Sequence, residues 1–175
     1  VAVYRYNDYS LNVDKVTATE NPLVVPYSVG GFVINSFNPT AALPEEITEV
    51  YIGENIKTFG ETSDMRLKIN NYGENLQAIH VDEKNPSLLS HNGIVYRKNG
   101  DESQLYYIPG GAETLEFLPM KKVDKETVKD HQNVKVIYFP EGCKSFSPSA
   151  IEKCPKLEKV YIPEDASFPS NALYN

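Results

Sequence analysis

The side chains best suited to catalysis or metal binding are few and widely spaced in this sequence. Its three histidines are His80, His91 and His131, and no two of them stand at a spacing typical of metal ligands. The run His80-Val81-Asp82-Glu83 could contribute to a metal site, but the sequence offers no further ligands at a matching spacing. We therefore expect no metal site and no cofactor.

Motifs that organise catalytic groups are also missing from the sequence. It contains neither a Gly-x-Ser-x-Gly turn nor a glycine-rich loop that would bind phosphate. Carboxylates are numerous, but no pattern pairs two of them in an apolar pocket, as a glycosidase requires. Gly110-Gly111 follows a proline, which is typical of a turn. We expect no catalytic residues and no enzymatic activity.

Two cysteines, Cys143 and Cys154, are too few for a disulfide scaffold, and their spacing matches no zinc signature. One bridge between them is possible, and two free thiols are the alternative.

The composition restricts the class of partner. The 175 residues are 41% hydrophobic and 23% charged with a net charge of −7, which indicates one globular domain over 1–175. No basic cluster suggests nucleic-acid binding, and no apolar run is long enough to insert in a membrane. The chain opens at Val1 without a leader, so we expect that a signal peptide has been removed.

A repeat positions the remaining candidate residues. Val134 to Pro140 and Leu157 to Pro163 share one pattern of apolar residues ending in proline, offset by 23 residues. Weaker copies of this pattern end at Ile52, Val81 and Phe117. A unit of 22 to 23 residues lies in the range of leucine-rich repeats. Because one coil cannot bury both edges of its apolar face, we expect the coils to stack as a solenoid with a parallel sheet.

Two segments depart from the simple repeat. Asn92-Gly93 and Asn99-Gly100 are strong turn signals on either side of a short β-run, so we predict an inserted β-hairpin over about 85–109. The first 45 residues have strand-like runs and a Gly30-Gly31 turn, and we predict that 1–45 form an N-terminal β cap or first degenerate repeat. Repeats then fill 46–175. The last apolar residues have no polar cap, so we expect either further chain or association at that edge.

The outward side chains of the repeat strands form the candidate binding face. Strands of a parallel sheet lie about 4.8 Å apart, so the residue between the last two apolar positions of each coil should form a column. With two flanking lysines, the candidate residues are Tyr51, His80, Glu116, Tyr138, Tyr161, Lys135 and Lys159. Large rings with polar tips suit recognition of a protein or a glycan. The alternative is that neighbouring tyrosines only stabilise the sheet by stacking on each other.

The run from Lys135 to Pro163 resembles the BspA-like, or Treponema pallidum type, leucine-rich repeat, and the resemblance extends over nearly the whole chain. Asn85 to Pro109 is similar to that family's long repeat with its hairpin, and Pro22 to Phe37 to its opening motif. The resemblance implies an α/β leucine-rich-repeat solenoid, with a parallel β-sheet on one face and short helices, 3-10 turns and loops on the other. It also implies that Cys143 and Cys154 are small buried core residues.

The resemblance further implies a secreted or cell-surface bacterial protein that acts in adhesion or protein binding. We expect a protein partner from the host or a bacterial surface, with no nucleic acid partner. A glycan-binding or enzyme-accessory module, and a spacer without a ligand of its own, are the alternatives.

Overall fold

Short strands build the described part of the chain. The computed structural model describes residues 2–7, 10–17, 19–38, 43–59 and 73–174. These residues form strands, turns and bends, and no helix occurs among them. They belong to two units, Val1–Gly110 and Gly111–Asn175. The single domain predicted over 1–175 therefore stays a prediction.

The strands of the first unit are short, as expected for a chain that turns after each pairing segment. They are β1 (Ala2–Asn7), β2 (Ser10–Val16), β3 (Leu23–Val24), β4 (Ser28–Val29), β5 (Phe32–Phe37), β6 (Glu49–Ile52), β7 (Thr58–Phe59), β8 (Ala78–Val81), β9 (Leu88–His91), β10 (Ile94–Asn99) and β11 (Glu102–Tyr107).

A parallel sheet of three strands, β3-β6-β8, carries the repeat in the first unit. Leu23, Val50 and Ile79 stand opposite one another in register. Val50 and Ile79 are fully buried, because residues alternate faces along a strand and these two point into the core. The strands predicted at the copies ending at Ile52 and Val81 are confirmed. The sheet also includes β3, which comes from the segment predicted as a cap.

The rest of that N-terminal segment forms a second set of strands. β1 and β2 pair antiparallel, β2 and β5 pair parallel, and β5 continues parallel to β7. β4 and β5 are joined at Gly30-Gly31, where both φ angles are positive (57° and 85°). The turn predicted at these glycines is confirmed.

The predicted hairpin insertion is confirmed and is larger than a single hairpin. β9, β10 and β11 form an antiparallel sheet of three strands. Asn92 and Gly93, both with positive φ, form the turn between β9 and β10, and Gly100, with φ of 62°, opens the turn into β11. The insertion attaches to the repeat because the Ile79 N–H donates to the Gly93 carbonyl at 3.1 Å.

The Asn85 side chain links successive coils of the first unit. It is fully buried, and its Nδ2 donates to the carbonyls of Gly53 (2.8 Å) and Ile56 (2.7 Å) in the preceding coil. Its Oδ1 accepts from the backbone N–H of Ser87 and of Leu88 in its own coil. Every polar group of this buried amide is therefore satisfied, as a stable core requires.

The second unit repeats one coil three times within its described residues. Its strands are β12 (Thr114–Glu116), β13 (Lys122–Val123), β14 (Val128–Lys129), β15 (Val136–Tyr138), β16 (Ser145–Phe146), β17 (Ile151–Glu152), β18 (Lys159–Tyr161) and β19 (Leu173–Tyr174). They form the parallel ladders β12-β15-β18, β13-β16 and β14-β17-β19, which is the arrangement of a β-solenoid. Leu115, Ile137 and Val160 are in register, so the predicted repeat is confirmed.

The short helices and 3-10 turns expected opposite the main sheet are wrong for the described residues. The second apolar block of each coil forms strands of two residues, such as β14 and β17. Its backbone N–H groups bond to the neighbouring coil, as Val128 does to Ala150 (3.1 Å) and Ile151 does to Ala172 (3.0 Å). In a helix, those N–H groups would instead donate to carbonyls four residues earlier in the same coil. Positive φ at Ser149 bends the chain into β17 instead.

Aromatic side chains fill the interior of the second unit. Phe139 stacks on Phe117 at 5.2 Å between ring centroids, and it meets Phe146 edge to face at 4.8 Å. Phe146 in turn contacts Phe168 at 5.0 Å. Val123, which stands where later coils have phenylalanine, is fully buried opposite Phe146, so the smaller side chain does not interrupt the ladder.

Candidate binding face

We call the outward side chains of β3, β6 and β8, and those of β12, β15 and β18, the strand face of their respective units. Alternation creates this face. In β15, Ile137 is fully buried, whereas Tyr138, the next residue, is 40% exposed. The same alternation holds in β6, where Val50 points inward and Tyr51 points outward.

In the first unit, the structure brings Tyr51 and His80 together. Their rings stack at 4.3 Å between centroids, with 22° between planes. His80 Nε2 also lies 3.0 Å from Glu49 Oε2, and both side chains are partly exposed. Both rings and the carboxylate therefore form one connected cluster on the strand face.

This column has one further member that the repeat pattern did not predict. Val24 of β3 stands directly opposite Tyr51 and is 65% exposed. The signal was available in the run Leu23-Val24-Val25-Pro26, because it ends in proline as the later repeat strands do. The strand face of the first unit therefore starts with an aliphatic side chain beside its rings.

In the second unit, the structure aligns Glu116, Tyr138 and Tyr161 in the predicted order. The two tyrosine rings are stacked at 4.6 Å between centroids and are nearly parallel, with 5° between planes. Tyr161 is 47% exposed, slightly more than Tyr138. Stacking of this kind stabilises neighbouring strands, and it also fixes both rings in one orientation.

The two candidate lysines occupy different positions. Lys159 lies within β18, opposite Val136 of β15. Lys135 precedes β15, and its Nζ lies 2.8 Å from a carboxylate oxygen of Glu113. Both members of that ion pair are largely exposed, so it contributes little to stability. Lys135 and Lys159 therefore belong to the second unit, but they are not in one row.

The tyrosines of the insertion divide between core and surface. Tyr96 and Tyr107 are buried at 1% and 3% exposure. Tyr106 is half-buried, and the Arg97 guanidinium lies 4.2 Å from its ring centroid. A cation over an aromatic ring is a favourable contact, so this pair stabilises the pairing of β10 with β11 on the more exposed side of the insertion.

The histidines differ in their immediate surroundings. His131 is buried and its Nδ1 accepts from the Val134 N–H at 3.2 Å, whereas His91 lies beside Asn92. In the described ranges, no three histidine, cysteine or acidic side chains gather into a group that could hold a metal ion.

The cysteines are free and lie in the core. Cys143 and Cys154 are both fully buried, so their assignment as core residues is confirmed and the alternative of a bridge between them is wrong. Burial raises the pKa of the Cys143 thiol and that of the Cys154 thiol, because an apolar surrounding disfavours the thiolate. Neither position therefore favours a nucleophilic thiolate.

Charged pairs of the second unit lie on its surface. Lys129 donates to Glu126 at 3.1 Å, which lowers the pKa of the Glu126 carboxyl and raises the pKa of Lys129. Lys144 likewise donates to Asp165 in the next coil and lowers the pKa of that carboxyl. The side chains of both pairs are exposed or partly exposed, so we interpret the pairs as surface ion pairs with a structural role.

One edge of the main sheet in the second unit is open. β18 pairs with β15, and its other edge pairs with no strand in the described part of the chain. A hollow of about 270 Å³ lies at this edge, lined by the side chains of Leu157, Val160, Ile162, Phe168 and Leu173 together with Glu158 and Lys159. The expectation that this edge leads to further chain or to association stays a prediction.

Comparison with known proteins gives likeness in fold alone. No protein-family model matches the sequence, and no curated protein matches it. Solved structures that match include a leucine-rich cell surface protein from Faecalibacterium prausnitzii, with 13% identity and a TM-score of 0.42 over 81% of this chain and 41% of that one. The pneumococcal vaccine antigen PcpA matches with 20% identity and a TM-score of 0.49 over 79% and 33%, respectively.

A leucine-rich repeat protein from Eubacterium ventriosum matches with 16% identity and a TM-score of 0.23, over 74% of this chain and 55% of that one. The chain thus spans only a third to somewhat over half of these proteins. At such low identities and TM-scores, these likenesses carry no argument. Support for a repeat fold comes from the strand register within the chain itself. No helix in the described residues is long and apolar enough to cross a membrane.

Proposed function

We propose that this chain is a non-enzymatic repeat module of a secreted or cell-surface bacterial protein and that it binds a protein partner through its strand face. The proposal includes the BspA-like type of leucine-rich repeat, which rests on the sequence pattern between Lys135 and Pro163. The partner is a protein of the host or of a bacterial surface.

The observation that carries the proposal is the stacked pair Tyr138 and Tyr161. Both rings are exposed by 40% or more. The backbone that carries them is held in place because β15 and β18 pair in the sheet. Rigid aromatic rings with polar hydroxyls lose little conformational entropy on binding, and tyrosine is enriched at the centres of protein interfaces. Charged residues such as Glu116 and Lys159 surround the pair and supply a polar rim.

The same geometry favours a protein partner over a glycan. Sugars bind aromatic side chains by stacking on the ring face, and the facing surfaces of Tyr138 and Tyr161 cover each other at 4.6 Å with a 5° angle between planes. The stack covers one face of each ring, so the pair offers a sugar less free ring face than two separate tyrosines would, while its ring edges and hydroxyl groups stay available to a protein.

The absence of an enzymatic role is part of the proposal. His80 is engaged by Glu49 and stacked on Tyr51, and His131 is buried with its Nδ1 accepting a backbone N–H. Cys154 is buried with a raised pKa. These arrangements suit structural roles for the groups that most often act as bases and nucleophiles.

The test uses a panel of purified extracellular-matrix proteins beside a glycan array, with the chain immobilised. The double variant Tyr138→Ala/Tyr161→Ala should weaken binding to any matrix protein that the chain binds by about 2 kcal/mol or more, which is roughly thirtyfold in Kd. Loss of the ring stack should cost the fold only about 0.5–1.5 kcal/mol, so we expect the variant to remain folded.

The matched control is Tyr27→Ala/Tyr174→Ala, which removes two tyrosines of similar exposure (57% and 62%) outside the strand face. It should leave binding unchanged. Full binding by a folded Tyr138→Ala/Tyr161→Ala variant would contradict the proposal. Binding to glycans alone would favour the glycan-binding alternative, and binding to neither panel would favour a spacer.

A further inference from the structure

The sequence contains two Asn-Gly pairs, and the structure places them in different surroundings. Asn92-Gly93 connects β9 to β10, and both residues have positive φ (47° and 80°). Asn99 is the last residue of β10, and Gly100, with φ of 62°, starts the turn to β11. Both turns belong to the same small sheet, so they are a natural pair for comparison.

The first pair is held by the repeat beneath it. The Gly93 carbonyl accepts the Ile79 N–H at 3.1 Å, and a Cβ at Gly93 would lie only 2.8 Å from the Ala78 side chain. Asn92 Nδ2 lies 3.4 Å from His91 Nε2. Movement of the Asn92-Gly93 peptide therefore requires separation of the insertion from β8.

The second pair is exposed and unsupported. No heavy atom of a more distant residue lies within 4 Å of the point where a Cβ would stand on Gly100. Asn99 and Gly100 are both exposed, and in the described part of the chain no hydrogen bond or ion pair holds the Asn99 side chain. Its backbone pairs with Glu102 at the last rung of the β10-β11 ladder. Terminal rungs open most readily, so this peptide is free to change its geometry.

We propose that Asn99 is a site of spontaneous deamidation, with water as the only co-reactant, and that Asn92 is protected by its packing. The backbone nitrogen of Gly100 attacks Cγ of Asn99 and forms a new C–N bond. The bond from Cγ to Nδ2 breaks, and ammonia leaves with the proton from the Gly100 nitrogen. Water then opens the resulting five-membered imide at either carbonyl and leaves aspartate or isoaspartate at residue 99. Glycine favours the attack because it has no side chain to obstruct it.

The product changes the tip of the insertion. Either acid adds one negative charge next to Asp101 and Glu102, in a chain whose net charge is already −7. Isoaspartate also lengthens the backbone by one carbon, which is incompatible with the tight turn at Gly100. The tip of the β10-β11 hairpin therefore becomes more acidic and less ordered as the protein ages.

The experiment follows both asparagines in the same molecule. The folded full chain is incubated in mildly alkaline buffer, digested with pepsin in acid to suppress deamidation during work-up, and analysed by peptide mass spectrometry. A parallel sample is incubated in denaturant, and the rate at each asparagine in the folded chain is divided by its own rate in the unfolded chain. We expect this ratio to be at least about fivefold higher for Asn99, because Asn92 reacts only after the Gly93 hydrogen bond has opened.

Two further measurements identify the site and the product. An isoaspartate-specific methyltransferase should label the aged wild-type chain, and Asn99→Gln should remove most of that label while the slow modification of Asn92 continues. Equal ratios for Asn92 and Asn99 would overturn the proposal. So would a folded chain that leaves Asn99 intact over the time in which the unfolded chain is modified.

Discussion

At the scale of single residues, the buried amide of Asn85 shows how one side chain joins two coils. Its two donors reach Gly53 and Ile56, and its oxygen accepts from Ser87 and Leu88. The two bonds that Asn85 accepts come from the next few residues, whereas the two that it donates reach residues 32 and 29 positions earlier in the sequence. Asn85 thus replaces backbone pairing at a bend where no strand is present.

Replacement of Asn85 by its near-isosteric acid tests this role. Asn85→Asp removes both donors and turns a carboxylate toward two carbonyl oxygens, so we expect a loss of about 3 kcal/mol or more in the free energy of unfolding. Asn99→Asp is the matched control, because the same change on an exposed side chain should stay within about 0.5 kcal/mol. Denaturant titration of both variants measures the difference, and equal stabilities would contradict the assigned bonds.

The buried thiols offer a second test at this scale. Cys143 and Cys154 are fully buried, and burial raises the pKa of each, so both the access and the ionisation that a thiol reagent needs are reduced. We expect neither to react with a disulfide reagent in the native chain and both to react after unfolding. Rapid labelling of the native chain at either thiol would contradict the core assignment.

Residue-level prediction from the sequence succeeded where periodicity decides orientation. The inward and outward assignments of Ile137 and Tyr138 follow from alternation alone. The role of Asn85 could not be predicted in this way, because an asparagine before a proline is also typical of a plain turn. Its partners in the preceding coil depend on how the coils are stacked, which local sequence does not encode.

At the scale of elements, the insertion depends on one close approach. Gly93 lies against Ala78 of β8, whereas Gly100, at the other turn of the same sheet, is surrounded by open space. Both glycines have positive φ, so both turns require similar backbone freedom. The difference between them is therefore packing against the repeat.

The two glycines make a matched pair of variants. Gly93→Ala and Gly100→Ala each introduce a strained φ that costs about 1 kcal/mol, and only Gly93→Ala also forces a Cβ against Ala78. We expect Gly93→Ala to lose about 1–3 kcal/mol more than Gly100→Ala in thermal or denaturant unfolding. If the two variants are equally stable, the insertion does not pack on β8 as described.

The elements that the sequence predicted wrongly were those opposite the main sheet. The apolar block from Phe146 to Ile151 has spacing that suits a short helix as well as a strand, and so few residues do not distinguish the two. In the structure, the neighbouring coil provides partners for its backbone N–H groups, so pairing between coils outweighs local preference. Secondary structure in this block is thus fixed by stacking.

At the scale of the whole chain, the repeated coil explains both the fold and the proposed site. Each described coil places apolar residues under the sheet with an exposed residue between them, and the stack converts this pattern into a column. Tyr51 with His80, and Tyr138 with Tyr161, are the observed outcomes in the two units. The repeat length therefore predicted which candidate residues are neighbours, although the identity of a partner depends on surface chemistry that periodicity does not contain.

Successive coils stack with their strands parallel and in register, and the strand face of each unit depends on this stacking. The most direct measurement is solution NMR of the full chain with labelled methyl groups, which reports side chains in van der Waals contact. We expect nuclear Overhauser contacts from Ile137 to both Leu115 and Val160, and from Val50 to both Leu23 and Ile79. If Ile137 showed contacts to neither Leu115 nor Val160, the coils of the second unit would not be stacked in this register, which would contradict the fold.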